Sequence, residues 1–121
     1  MSLADARYFN LATFRRDGRE VATPVWFAPT DGAYYVFSAG DAGKVKRIRA
    51  GSRARVAACD VRGKLLGEWH DASARLVTDP AEVQRAYRAL RGKYGLAMAA
   101  LDWLARLSGR YQKRQLIAVT V

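Results

Sequence analysis

Glycine-containing turn signals separate short β-forming runs along this chain, at Asp17-Gly18, Asp31-Gly32 and Arg62-Gly63. Asp-Gly pairs supply the positive φ angles that tight hairpins need. Tyr8 to Phe14 and Glu20 to Ala28, rich in β-branched and aromatic residues, are therefore predicted to be strands one and two, joined at Asp17-Gly18. The turn at Asp31-Gly32 leads into a third strand, Tyr34 to Ser38, and the three form a meander. Ala54 to Cys59 and Leu65 to Val77 read as strands four and five around Arg62-Gly63, the fifth bent or bulged near Asp71-Ala72-Ser73. Gln115 to Val121 is short, apolar and β-branched, which suits a closing strand that ties the C-terminus into the sheet.

Helical patterns interrupt the strands at three places. Between Asp41 and Ala50, Val45 and Ile48 share one side of a helical wheel, while Lys44, Lys46, Arg47 and Arg49 occupy much of the rest. Asp79-Pro80-Ala81-Glu82 is a strong helix start: Asp79 can accept from an orphan amide, Pro80 tolerates the first turn, and Glu82 can reach back to the cap. That helix is predicted to run to about Leu90, with Val83, Tyr87 and Leu90 on its apolar side. A further helix follows Gly92 and Gly95, places Leu101, Leu104 and Leu107 on one face and ends at Gly109. Six hairpin-linked strands with helices after the third and fifth point to a mainly β protein with a small antiparallel barrel, and against a doubly wound parallel sheet. Closure would remove exposed strand edges.

Composition narrows the class. With 121 residues, 50% of them hydrophobic and 26% charged, the chain fits a single ordered domain spanning 1–121. No apolar run approaches a membrane span, and the N-terminus lacks the order of a signal peptide, so a soluble cytoplasmic protein is expected. One cysteine, Cys59, and one histidine, His70, exclude an internal disulfide and the usual zinc ligand sets, and no metal site is expected. Cys59 reads as a small buried residue and His70 as a structural or surface one. The 21 Lys and Arg against 11 Asp and Glu leave a net charge of +10, which points to an anionic partner without choosing among nucleic acid, anionic lipid and a phosphorylated or polycarboxylate small molecule.

Position adds chemistry. Ser38-Ala39-Gly40-Asp41-Ala42-Gly43-Lys44-Val45-Lys46-Arg47 joins a strand end, a glycine-containing loop and a basic helix start, offering amides and cations to a phosphate. It is not a Walker loop, because Gly40 and Gly43 are too close and Val45 follows Lys44 where Ser or Thr would bind magnesium. The competing reading is a solvated basic helix face. Pro24 cannot donate to a ladder and belongs at an edge or bulge, where an interrupted strand leaves room for a planar ligand. The alternative there is an ordinary edge strand with Trp26 and Phe27 in core or dimer packing. The stripe from Leu96 to Leu107 reads as core or dimer packing, with membrane association the minor alternative.

Asn10-Leu11-Ala12-Thr13-Phe14, Ala22-Thr23-Pro24-Val25-Trp26-Phe27 and Gly43-Lys44-Val45-Lys46-Arg47 stand at successive barrel landmarks, with Gly67-Glu68-Trp69 and Gly92-Lys93-Tyr94-Gly95 beyond them. In this order the chain resembles the pyridoxamine 5'-phosphate oxidase-like split barrels of the FMN-binding type, and within them the branch of deazaflavin-dependent enzymes that use coenzyme F420. The resemblance spans nearly the full length. It implies a six-stranded antiparallel split β-barrel, a homodimer, and cofactor contacts from Thr23, Pro24, Val25 and Trp26 to the ring, partly through backbone atoms, and from Ser38, Lys44, Lys46 and Arg47 to phosphate. Lys44 matches the family's phosphate lysine best; Gly43 departs from flavin-binding relatives, which often carry Arg there.

The implied activity is an oxidoreductase in which reduced F420 delivers a hydride to an organic substrate, with no catalytic residue assigned. Arg49, Arg53 and Arg55 are candidate contacts for an acidic cofactor tail. An FMN protein of the same fold is the nearer alternative, and a cofactor carrier without turnover another. A non-enzymatic nucleic-acid binder, stacking bases on Tyr34, Tyr35 or Trp26, ranks below both because no recognised nucleic-acid motif is present.

Overall fold

The computed structural model describes residues 2–30 and 32–121. Its six strands are β1 (Tyr8–Phe14), β2 (Glu20–Pro29), β3 (Tyr34–Ala39), β4 (Arg53–Cys59), β5 (His70–Val77) and β6 (Arg114–Thr120). They close into an antiparallel barrel in the order β1-β2-β3-β6-β5-β4. Helix α1 (Gly43–Ala50) follows β3, and α2 (Pro80–Tyr94) and α3 (Leu96–Leu107) follow β5.

The β1–β2 turn depends on one glycine: Gly18 has φ 89° and donates to the Arg15 carbonyl at 2.9 Å. Part of the expected turn at Asp31-Gly32 lies outside the described residues; beside it, the Thr30 N–H donates to the Ala33 carbonyl at 2.9 Å. The fifth strand begins later than expected and runs unbroken through Asp71-Ala72-Ser73. Leu65 makes only an isolated bridge to Cys59, and the irregular stretch falls at residues 66–69 instead. The reason lies one turn earlier, where the Asp60 carboxylate accepts from the Arg62 and Lys64 amides at 2.9 Å each and Gly63 adopts φ 92°. That folded loop covers the outward side of β1, where Asn10 Nδ2 donates to the Gly63 carbonyl at 2.8 Å.

Strand alternation separates two cores. Phe9, Leu11, Val25, Phe27, Val36, Val56 and Ile117 fill the barrel, and Val45 and Ile48 of α1 join the same cluster at one end. Outside the barrel, Ala86, Leu90 and Tyr94 of α2 and Met98 of α3 pack on Ala28, Tyr35, Leu116 and Ala118. Helix α2 passes Gly92 and continues to Tyr94, beyond the expected end at Leu90, before Gly95 stops it at φ 55°. The Asp79 cap is as expected, accepting from the Ala81 N–H at 3.4 Å. Glu82 does not reach back to the cap: its carboxylate binds Arg75 and Tyr35.

Tyr94 explains the extra turn of α2. Its buried hydroxyl accepts from the Phe27 N–H at 2.9 Å and donates toward the carbonyls of Arg7 (2.6 Å) and Phe27 (2.9 Å), beside the end of the β1–β2 ladder. Replacing Tyr94 with Phe strands that buried amide, and a loss of about 1–3 kcal/mol is expected in urea unfolding. An unchanged midpoint would show that the hydroxyl is not the tie.

Candidate functional site

The barrel is split along one seam. Strand β2 pairs with β1 from Glu20 to Trp26, but with β3 only at Phe27–Pro29 against Tyr34–Val36. Beyond Val36, β3 turns its ladder to β6 alone, pairing Phe37 with Leu116 and Ala39 with Arg114. Among the described residues, Glu20 to Trp26 therefore have strand partners on one side only. Pro24 sits in this one-sided stretch, opposite Asn10, where a missing N–H is tolerated. The strand runs through it without interruption.

The four expected ring contacts diverge in orientation. Val25 is 6% exposed and belongs to the barrel core, so its side chain faces away from any external ligand. Pro24 is exposed, against the Gly63 turn. Trp26 is half-buried in the outer aromatic cluster, stacked on Tyr94 at 4.5 Å between centroids and edge-on to Phe37 at 6.0 Å. Thr23 is different: its Oγ1 is buried and has no hydrogen-bond partner. Thr23 pairs with Leu11 and shares its strand face with Val25, so this hydroxyl lies on the inward side of the barrel, and leaving it unpaired there costs about 1–3 kcal/mol.

The basic end is built by α1. Arg47 Nε donates to Thr13 Oγ1 at 2.6 Å, and its guanidinium folds back so closely over Gly43 that a Cβ there would lie 2.8 Å from Nη1. The glycine at position 43 thus leaves room for Arg47. Burial lowers the pKa of Arg47 and the positive charge of Arg15 lowers it further. Lys44 is half-buried, and burial followed by the charge of Arg47 lowers its pKa too. Among the described residues neither Lys44 nor Arg47 has a carboxylate within ion-pair distance. Two neighbouring cations that repel each other, with no acid beside them among the described residues, are suited to an anion. Ser38 is buried at the end of β3, donating weakly to the Ala39 carbonyl at 3.2 Å, and Lys46 is exposed.

Of the candidate tail contacts, Arg55 is engaged with Glu20 at 2.9 Å and lies over the Trp69 ring, and Arg53 stacks on Phe14. Arg49 is exposed. Burial pushes the Cys59 thiol up to about 11, with Asp60 adding to the shift, so it is no nucleophile at neutral pH. His70 is exposed on β5.

A groove of about 580 Å³ opens between the end of β3, α3 and the segment entering β6. Of the eight expected site residues only Ser38 lines it. Thr13 and Arg15 lie beside the cradle, and Arg110, Lys113 and Arg114 at the groove, and none of them is marked as a site residue by the sequence alone. The run Arg110-Tyr111-Gln112-Lys113-Arg114, directly after an apolar helix, is the signal that could have found the second set.

Comparisons with known proteins agree with this architecture. HutZ, described as a heme storage protein from Vibrio cholerae, superposes with a TM-score of 0.70 at 14% identity, over 96% of this chain and 82% of that one. A FAD-binding protein from Mesorhizobium loti gives 0.67 at 19% identity, over 98% and 82%. An F420 reductase gives 0.61 at 17% identity, over 98% and 89%. A search of curated proteins finds no match. No described helix is long and apolar enough to cross a membrane. The sequence matches the family described as Pyridoxamine 5'-phosphate oxidase over residues 2–121, and with its six-stranded antiparallel barrel the chain belongs to that family.

Proposed function

We propose that this protein is an oxidoreductase that binds reduced coenzyme F420 and transfers a hydride to an organic substrate, working as a homodimer. The observation that carries the reading is the half-buried Lys44 beside Arg47 with no acid to neutralise either among the described residues, at the barrel end where Arg47 reaches Thr13 of β1. Half-buried cations without partners are costly, and a phosphate would complete them. The F420 reductase among the structural neighbours and the resemblance of the sequence support the deazaflavin.

When bound, the reduced deazaflavin supplies the hydride, and the chain's own residues bind and orient it. Lys44 and Arg47 hold the phosphate and Ser38 adds a hydroxyl. At the ring end Thr23 and Val25 would contribute backbone groups of the one-sided strand, Pro24 would border the seam, and Trp26 would limit access from the aromatic side. Lys46 and Arg49 extend the positive field toward an acidic tail.

FMN is the second reading, favoured by the same phosphate cradle and by the FAD-binding neighbour. The HutZ likeness brings a heme reading less support, because the single histidine, His70, is exposed and lines no described groove.

Fluorescence titration of the purified protein with F420 and FMN at moderate salt tests the proposal. Saturable preference for F420 is expected. Lys44→Ala is expected to weaken it by about 1.5–3 kcal/mol, the worth of a charge-assisted hydrogen bond. Preference for FMN would keep the cradle and replace the chemistry, and an unchanged affinity in Lys44→Ala would remove the cradle.

A further inference from the structure

We propose that the groove between β3, α3 and the Arg110–Arg114 segment is a second binding site, which takes an organic monoanion with an apolar body, such as a medium-chain carboxylate. At about 580 Å³ it falls in the range of small-molecule sites. Its apolar wall is Phe37, Leu101, Leu104 and Ala105, and Leu104 is still 55% exposed, so a hydrocarbon body would gain burial there.

The charged end has one sign in excess. Arg110 and Lys113 line the groove, and among the described residues neither side chain has an ion-pair or hydrogen-bond partner. Arg114 also lines it, but its charge is met by Asp102 at 2.7 Å. Asp41 is the one acidic residue in the lining. Arg110, Lys113 and Arg114 against Asp41, with Asp102 shared between Arg114 and Arg91, leave an excess of positive charge that suits a carboxylate. A neutral ligand would leave that excess unmet.

The walls are fixed before any ligand arrives. Arg114 donates to Asp102 of α3 and to the Leu101 carbonyl at 3.4 Å, and its guanidinium lies 4.7 Å from the Phe37 ring centroid. On the β3 side, Gly40 packs so tightly on the Lys113 carbonyl that a Cβ has no room. One buried ion pair and one glycine contact thus set the width, so the walls need little ordering and the cost falls on the exposed Arg110 and Lys113 side chains.

Calorimetric titration of the full chain with decanoate, decanol and decyltrimethylammonium tests this. One decanoate per chain is expected to bind saturably, decanol at least about tenfold more weakly, and the cation not at all. The exposed double variant Arg110→Gln/Lys113→Gln is expected to lose about tenfold or more for decanoate with decanol unchanged. Leu104→Asn is expected to weaken both. Equal binding of decanoate and decanol, or decanoate affinity unchanged in the double variant, overturns the proposal. So does a dimer that takes up no decanoate, which would assign the groove to a second copy. The inference does not rest on the cofactor reading: Lys44→Ala is expected to leave decanoate binding intact, so the two can fail separately.

Discussion

Replacing Asp102 with Ala is expected to destabilise the protein by about 3–5 kcal/mol, the cost of leaving a buried charge without its partner. Asp102 is 4% exposed and holds two arginines, Arg114 at 2.7 Å and Arg91 at 3.2 Å. The Arg114 side chain is only 8% exposed, so it has no route to water when the carboxylate is removed. Arg91 is 46% exposed and can rehydrate, so most of the loss belongs to the Arg114 side. Against the roughly 5–15 kcal/mol that stabilises an ordinary domain, such a loss threatens folding itself. Urea unfolding measures it, and Asp102→Ala/Arg114→Met separates the causes. If the stranded charge is responsible, the double variant recovers much of the stability; if α3 merely lost a packing group, it does not. Arg114 also spans the groove between Phe37 and α3, so Asp102 acts there as a positioning residue.

This pair shows what a linear sequence conveys and what it withholds. Strand β1 has its expected bounds because β-branched and aromatic residues run up to a glycine turn, all within local reach. The fifth strand starts at His70 and not at Leu65: Leu65-Leu66 has the apolar look of a strand, while the Asp60 turn, which decides where the chain can rejoin the ladder, spends its amides on a side chain. The spacing of Glu82 to Asp79 predicts a capping residue. Its real partners, Tyr35 and Arg75, come from two strands, and the bidentate arginine outcompetes a local amide. Gly92 looked like a helix end, yet Tyr94 two residues later has three backbone groups to satisfy, and that tertiary tie keeps the turn helical.

The candidate site divides in the same way. Lys44 and Arg47 were legible because a glycine loop and a basic helix lie together in sequence. That Arg47 would reach Thr13 and fill the space above Gly43 depends on how α1 plugs the barrel, which no spacing rule contains. The seam between β2 and β3 is a property of the ladder register. Pro24 marked the place, and the register explains why the place is open.

Glu82 sets the acid limit of the fold. Its carboxylate receives Arg75 through two nitrogens at 2.8 and 2.6 Å and the Tyr35 hydroxyl at 2.7 Å, with 11% of the side chain exposed. The Arg75 hydrogen bonds, then that of Tyr35, lower its pKa from the ordinary 4.5 to about 2. A carboxyl depressed in the folded state contributes stability that is fully present above about 4.5 and is lost as the pH falls toward 2. A drop of this size corresponds to on the order of 3 kcal/mol. Glu82→Gln removes the titration but keeps the shape. At neutral pH the variant is expected to be less stable by about 2–3 kcal/mol, because Arg75 loses its charge partner while Tyr35 keeps an acceptor. Other carboxylates titrate in the same window, so the informative quantity is the difference between the two unfolding curves from pH 7 to pH 2. That gap is expected to close progressively below about pH 4.5. A gap that stays constant with pH would mean that Glu82 holds α2 by packing, with its charge incidental.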